Sequence, residues 1–343
     1  MTRGVTVAVD ANGADLGPAE VAAGAATAAA QGVRVLLFGP AEQLGEPVHG
    51  VEIVDAPVSV AKFADPARAV RANPEASIVL TVRAVAEGRA DAFVSGGSTG
   101  AALAAGLFRV KRGHGIHRPA LAAAVPVPGH PMTLLDVGAN SGVRPEHLVQ
   151  FAFMGAALSS VVLGVSRPRV GLLSNGEEAT KGTDLVREVH TQLAAVRGLN
   201  WIGNVEGTDL TSGRADVIVT DGFTGNVALK ALEAASEATL GAVRAAATSG
   251  TRAKLGGLLL TPALRRVRDE VDPENAGGAY LLGLRHLGVV PHGRFTGYGF
   301  SQAILLAARG VSGDVVGRTH AALEAAGALR ASAQASGASP SVA

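Results

Sequence analysis

The chain contains no cysteine. That absence removes disulfides, thiolate nucleophiles and zinc–thiolate sites, and it fits a reducing compartment. Aromatic residues are scarce, 3% against 48% apolar overall, so Ala, Val, Leu and Gly must do the packing. Neither sign of charge dominates: 30 basic residues face 29 acidic ones, a net charge of +1. No global field therefore draws nucleic acid or an anionic membrane, and any charged partner must be recognised locally. No uninterrupted apolar stretch reaches the roughly 18 residues expected of a membrane span. A soluble cytoplasmic α/β protein is the expectation.

Several signature loops are also missing. No G-x-G-x-x-G follows the first strand, which argues against a dinucleotide site. No G-x-S-x-G nucleophile elbow is present. The stretch from Gly176 to Thr183 resembles a P-loop only superficially, because Lys181 and Gly182 stand in the wrong order and Glu177 and Glu178 occupy the cradle. His114 and His117 lie among Arg112 and Arg118 without a carboxylate nearby in sequence, so no metal site is expected there. No cofactor is expected either.

What is present is a rhythm of short apolar runs and Ala-rich helical segments, punctuated by 45 glycines. Val5–Val9, Val33–Phe38, Glu52–Asp55, Ala92–Val94, Met132–Leu135, Val170–Leu173, Trp201–Asn204 and Val217–Val219 read as strands. Helical patterns cover Pro18–Gln31, Ile78–Glu87, Pro145–Leu163, Val227–Ala247, Pro262–Val271, Gly299–Ala308 and Gly317–Arg330. The alternation predicts a doubly wound, three-layer α/β/α sheet protein. Residues 1–330 are expected to form one such domain, with a helix pair protruding at about 227–271. Residues 331–343, rich in Ser and Ala, read as a disordered tail.

Four strands run into polar, glycine-rich turns: Asp10–Asp15, Ser95–Gly100, Asp136–Asn140 and Asp221–Asn226. Ligands of open α/β sheets gather at the carboxyl ends of parallel strands, so these turns are expected on one sheet edge, with Glu177 and Lys181 on the same rim. Backbone amides and hydroxyls of such turns suit a phosphate and the oxyanion of a tetrahedral acyl-transfer intermediate. Lys181 offers a point charge for phosphate, and His292 or Asp136 offers a proton relay. His292 could equally be a histidine held by structural hydrogen bonds. Lys62, Arg68 and Arg71 read either as an anion site or as a solvated face. Leu258, Leu259 and Leu260, flanked by Arg252, Lys254, Arg265, Arg266 and Arg268, suit either a shallow membrane contact or a helical hairpin whose tip packs on its own domain or on a second subunit.

The motifs DANGAD at Asp10, SGGSTGA at Ser95, HRPALAA at His117, LLDVGAN at Leu134, PEHLVQFAFMG at Pro145, PRVGLLSNGEEATKG at Pro168, WIGNVEG at Trp201, DGFTGNVALK at Asp221 and DPENAGGAYLLGL at Asp272 resemble, in this order, the bacterial PlsX phosphate acyltransferases. The resemblance covers roughly residues 5 to 310. It implies a Rossmann-like fold similar to the phosphotransacetylases and isocitrate dehydrogenases. It also implies conversion of acyl-acyl carrier protein and orthophosphate into acyl phosphate for phospholipid synthesis, a homodimer, and peripheral membrane contact through a helix pair. The site it implies comprises Asp10, Asn12, Gly13, Asp15, Ser98, Thr99, Asp136, Asn140, Glu177, Lys181, Asp221 and Asn226, with Ser98, Asn140 and Lys181 stabilising developing charge. Three departures bear on substrate identity: Asn12 where the pattern has Met, Ser98 where it has an amide, and Arg294 within a His-Gly-Ser-Ser segment. Acyl transfer between phosphate and coenzyme A, or a non-catalytic membrane scaffold, are the alternative readings.

Overall fold

The computed structural model describes residues 4–330. The expected tail at 331–343 lies outside the described residues.

Among the described residues, eleven strands form one continuous sheet. In chain order they are β1 (Thr6–Asp10), β2 (Arg34–Gly39), β3 (Val51–Asp55), β4 (Ala92–Ser95), β5 (Ala120–Val125), β6 (Met132–Leu135), β7 (Arg169–Leu173), β8 (Asn200–Val205), β9 (Val217–Val219), β10 (Ala279–Leu282) and β11 (Leu287–Val290). The helices are α1 (Pro18–Ala29), α2 (Pro66–Ala72), α3 (Ser77–Ala86), α4 (Thr99–Ala105), α5 (Pro145–Val162), α6 (Asp184–Ala195), α7 (Gly222–Thr248), α8 (Thr251–Val271), α9 (Pro273–Ala276), α10 (Gly297–Ser312) and α11 (Val315–Ala325). The spatial strand order is β3-β2-β1-β4-β11-β10-β5-β6-β9-β7-β8.

The sheet reverses direction midway. The strands β3, β2, β1, β4 and β11 are mutually parallel. Strand β10 is antiparallel to β11 and to β5, and β5 is antiparallel to β6. From β6 onward the strands are parallel again, but opposite to the first group. The carboxyl ends of the two groups therefore lie at opposite sheet edges. This corrects the expectation of four turns on one edge: the turns after β1 and β4 share one edge, and those after β6 and β9 share the other. The cause is β5, an Ala-rich ALAAAV segment whose weak apolar contrast conceals a strand, together with the antiparallel β10.

Alternation along each strand feeds two cores. Val7 and Val9 face one side of the sheet with Phe300, Ile304 and Phe151, while Ala8 faces the other with Phe38, Phe93 and Leu134. On that second side, Leu121, Ala123 and Val125 of β5, all buried, form one stripe beneath α7.

The helix pair is longer than its sequence pattern. Helix α7 ends at Thr248, Ser249 and Gly250 make the turn, and α8 begins at Thr251. Leu258, Leu259 and Leu260 thus lie inside α8, about 12 Å beyond the turn at 1.5 Å per residue, rather than in a loop between helices. None of the residues of α8 is buried.

Candidate active site

At the edge where β1, β4 and β11 end, Asp10 is 3% exposed. The Ser95 hydroxyl donates to its Oδ2 at 2.7 Å, and the Asn12 amide donates to Oδ1 at 3.2 Å. Burial pushes the Asp10 carboxyl up to about 6, against the Ser95 hydroxyl and the Asn12 N–H, which lower it. The Asn12 side chain donates to the carbonyls of Ala56 and Pro57, tying its loop to the segment after β3. Gly13 adopts φ +125°, and a Cβ there would stand 2.6 Å from the Ala61 methyl. Asp15 donates its N–H to the Gly293 carbonyl at 2.7 Å, joining the β1 turn to the β11 turn. Ser98 caps α4 by accepting from the Ala101 amide at 3.4 Å.

His292 follows β11. Partial burial, then the cations Lys230 and Arg294, hold its imidazole below the ordinary histidine value, while Glu233 and Asp15 pull the other way. The Arg294 amide donates to its Nδ1 at 3.4 Å, which leaves the proton of the neutral ring on Nε2.

The opposite edge is organised around Asp136, which is fully buried. Its Oδ1 accepts from the amides of Leu121 (3.0 Å), Gly138 (3.1 Å) and Ala139 (2.9 Å). Its Oδ2 accepts from the backbone and side-chain amides of Asn140, both at 2.8 Å. Burial raises its pKa, opposed by these donors. Asn140 Nδ2 also donates to the Pro119 carbonyl at 2.7 Å. Asp221 caps α7, accepting from the amides of Phe223 and Thr224 and from the Thr224 hydroxyl. Asn226 donates to the Val137 carbonyl at 3.0 Å. Further along this edge Glu177 pairs with Arg214. Lys181 is exposed, lays its stem over Gly176 and has no ion-pair partner among the described residues.

A cavity of about 790 Å³ lies on the sheet face between the two edges, roofed by α7. Its floor is the β5 stripe of Val125, Ala123 and Leu121, and its walls include Val137, Leu229 and Leu232. Of the residues singled out in sequence, the fold brings Thr99, Asn226, Arg268, His292 and Arg294 to this cavity, with Gly97 beside Thr99. Asp10, Asn12, Gly13, Asp15 and Ser98 stand in the supporting turns at the His292 edge and do not line it. Asp136, Asn140 and Asp221 play the equivalent part at the Asn226 edge. Glu177, Lys181 and the three leucines lie outside it.

Sequence reasoning missed the inner face of α7. Lys230, Glu233 and Glu237 line the cavity with Asn226, spaced by three or four residues on one helical face. That spacing was the available signal. Lys230 pairs with Glu233 at 2.8 Å, and Glu237 with Arg294 at 3.0 Å, joining α7 to the His292 turn.

The fold also gives His117 a carboxylate that its sequence neighbourhood lacks, since Glu146 and His147 at the start of α5 place donor atoms within 4.8 Å of it. Arg144 occupies this cluster, 3.0 Å from Glu146 and 3.4 Å from the His147 ring. Arg112, Arg118 and Arg330 add positive charge around the two rings. The donor set therefore suits a cation poorly.

Comparison with known proteins gives the following. The model of a family described as "Fatty acid synthesis protein" matches residues 5–318. A phosphate acyltransferase of Anoxybacillus flavithermus is 43% identical over 323 residues, covering 90% of this chain and 96% of that protein. A phosphate acyltransferase of Levilactobacillus brevis is 43% identical over 297 residues, covering 84% of this chain and 86% of its own. Among solved structures, the EutD phosphotransacetylase from Staphylococcus aureus superposes with a TM-score of 0.59 at 17% identity, covering 90% of this chain and 94% of that one. At that identity the likeness is one of fold.

Proposed function

The chain belongs to the fatty acid synthesis protein family, and from that membership we propose that it is a phosphate acyltransferase, forming acyl phosphate from an acyl thioester and orthophosphate for phospholipid synthesis. The observation that carries the reading is the cavity itself, which has an apolar floor and, at one end, the Thr99 hydroxyl and the His292 imidazole, groups that can donate to an anion.

In this reading orthophosphate sits against Gly97, Thr99 and His292. A phosphate oxygen attacks the thioester carbonyl, a C–O bond forms and the C–S bond breaks. The proton of the phosphate passes to the departing thiolate, giving acyl phosphate and free thiol. The Nε2–H of His292 donates to the oxyanion as charge develops there. A neutral imidazole suits that task, and the partial burial and neighbouring cations that depress its pKa keep it neutral near pH 7. Asp136 and Asn140 act at one remove, by fixing the β6 turn against β5 and α7. Lys181, exposed at the other edge, is assigned to contact with the donor rather than to the bond-making step.

The donor is proposed to be acyl carrier protein. The exposed leucines of α8 support peripheral membrane contact, and α8, none of whose residues is buried, supports a homodimer interface. Among the described residues no helix is long and apolar enough to cross a membrane. The test is to incubate the purified protein with orthophosphate and acyl-acyl carrier protein or acyl-coenzyme A, trapping product with hydroxylamine. Phosphate-dependent hydroxamate is expected with the carrier-protein donor. None from any thioester of any chain length would refute the activity.

A further inference from the structure

We infer that the cavity beneath α7 is the pocket for the acyl chain of the donor, and that its depth from His292 to the Asn226–Val137 hydrogen bond sets the chain length accepted. This deepens the phosphate acyltransferase reading and rests on it.

Three observations converge. First, the cavity is polarised along its length. Gly97, Thr99 and His292 stand at one end, the floor and lower wall beyond them are Ala123, Leu121, Leu229 and Val137, and the charged residues of the roof, Lys230 and Glu233, pair with each other. A ligand with a reacting polar head and an apolar tail fits that order. Second, the cations on the rim are already matched: Lys230 with Glu233, Arg294 with Glu237, and Arg268 with Asp269. With these charges paired, little net charge is left along the cavity away from the Gly97, Thr99 and His292 end, which suits a ligand whose body is apolar. Third, the dimension is right. Asn226 and Glu237, which frame the two ends on α7, are three helical turns apart, about 16 Å. One leaflet of a bilayer's hydrocarbon core, about half of 30 Å, is the reach of one long acyl chain. At the far end Asn226 donates to the Val137 carbonyl at 3.0 Å.

The pocket acts as a ruler. Each methylene that enters the apolar part should raise kcat/KM about fourfold, and the gain should stop when the chain reaches Asn226. Leu229 lies one turn from that end and Leu232 nearer the middle, so an indole at each position truncates the ruler at a different depth.

The experiment compares wild type, Leu229→Trp and Leu232→Trp with a series of acyl-acyl carrier protein donors from short to long chain. The ratio of long-chain to short-chain turnover is expected to fall at least tenfold in both variants, with the cut-off at shorter chains in Leu232→Trp. Unchanged profiles, or an equal loss at every length in variants that melt like wild type, would overturn the inference. A second arm does not depend on turnover: a photoactivatable palmitate is crosslinked to the full-length protein. Labelling on the α7 and β5 peptides is expected, and labelling confined to the α8 leucines would overturn the pocket. If labelling falls on α7 while no donor yields acyl phosphate, the pocket stands and the activity falls.

Discussion

The Ser95 hydroxyl donates a 2.7 Å hydrogen bond to Asp10, across the carboxyl ends of two adjacent parallel strands. The bond joins the turns after β1 and β4, and it holds a carboxyl whose burial pushes it up to about 6 from 3.8. The unfolded chain ionises first as pH rises, so below pH 4 Asp10 makes no difference to stability. Between about pH 4 and 6 the unfolded state loses the proton while the folded state keeps it, and stability falls. Above pH 6 the full cost, about 3 kcal/mol, is present. Asp10→Asn should abolish this segment of the pH dependence. Urea midpoints of both proteins from pH 4 to 8 check it, and parallel curves would contradict the assignment.

Asp136 is expected to matter for folding rather than for proton transfer. Its two oxygens accept five N–H bonds, and every partner is a donor. Asp136→Ala strands those donors, and Asp136→Asn turns an NH₂ group toward one set of them. Both substitutions should cost about 3 kcal/mol or more, read from denaturant unfolding. A variant that melts normally but loses kcat would instead mark Asp136 as chemically engaged.

For His292, replacement by Ala should lower kcat by about a hundredfold if its Nε2–H serves the oxyanion. The acid limb of the wild-type kcat/KM profile should lie below the usual histidine range, in the direction of its depressed pKa. Lys230→Met removes one cause of that depression and frees Glu233, so the limb should move to higher pH. A limb that stays in place in this variant would separate His292 from the titration.

The Arg294–Glu237 pair is solvent-exposed, so its loss should be mild. A double-mutant cycle with Arg294→Ala and Glu237→Ala is expected to give a coupling of about 0.2–1 kcal/mol in unfolding experiments. A coupling several times larger would mean that the pair fixes the α7 roof far more firmly than its exposure suggests.

Leu258, Leu259 and Leu260 are 69%, 76% and 58% exposed. Changing all three to Ser should leave the melting temperature nearly unaltered and strongly reduce flotation with anionic vesicles. Retained flotation would exclude them as the membrane contact.

Much of the fold was legible because β1, β2, β4 and α5 carry strong local patterns. What stayed hidden was pairing direction, which no local pattern encodes. The ALAAAV run of β5 is too uniform to show the period of two, whereas Leu185, Val186, Val189 and Leu193 of α6 recur at helical spacing, a legible signal that sequence reasoning missed. The turn motifs located the right residues, yet they were grouped by similarity of sequence when the sheet reversal separates them. His292, Thr99 and Asn226 were singled out individually. Their convergence on one cavity, and the part played there by Lys230 and Glu233, depends on α7 crossing the sheet face, a tertiary fact.

The absence of any buried residue in α8 has a kinetic meaning. Backbone amides are protected from exchange by the free energy of the opening that exposes them, and a helix with few buried contacts opens at low cost. The α7–α8 pair should therefore exchange with deuterated solvent sooner than β5, which lies between β10 and β6 in the centre of the sheet. A long chain need not thread through a narrow mouth under those conditions. If the floor stays fixed while the roof opens, the rate of loading is expected to follow the opening of the helix pair and not the width of an entrance.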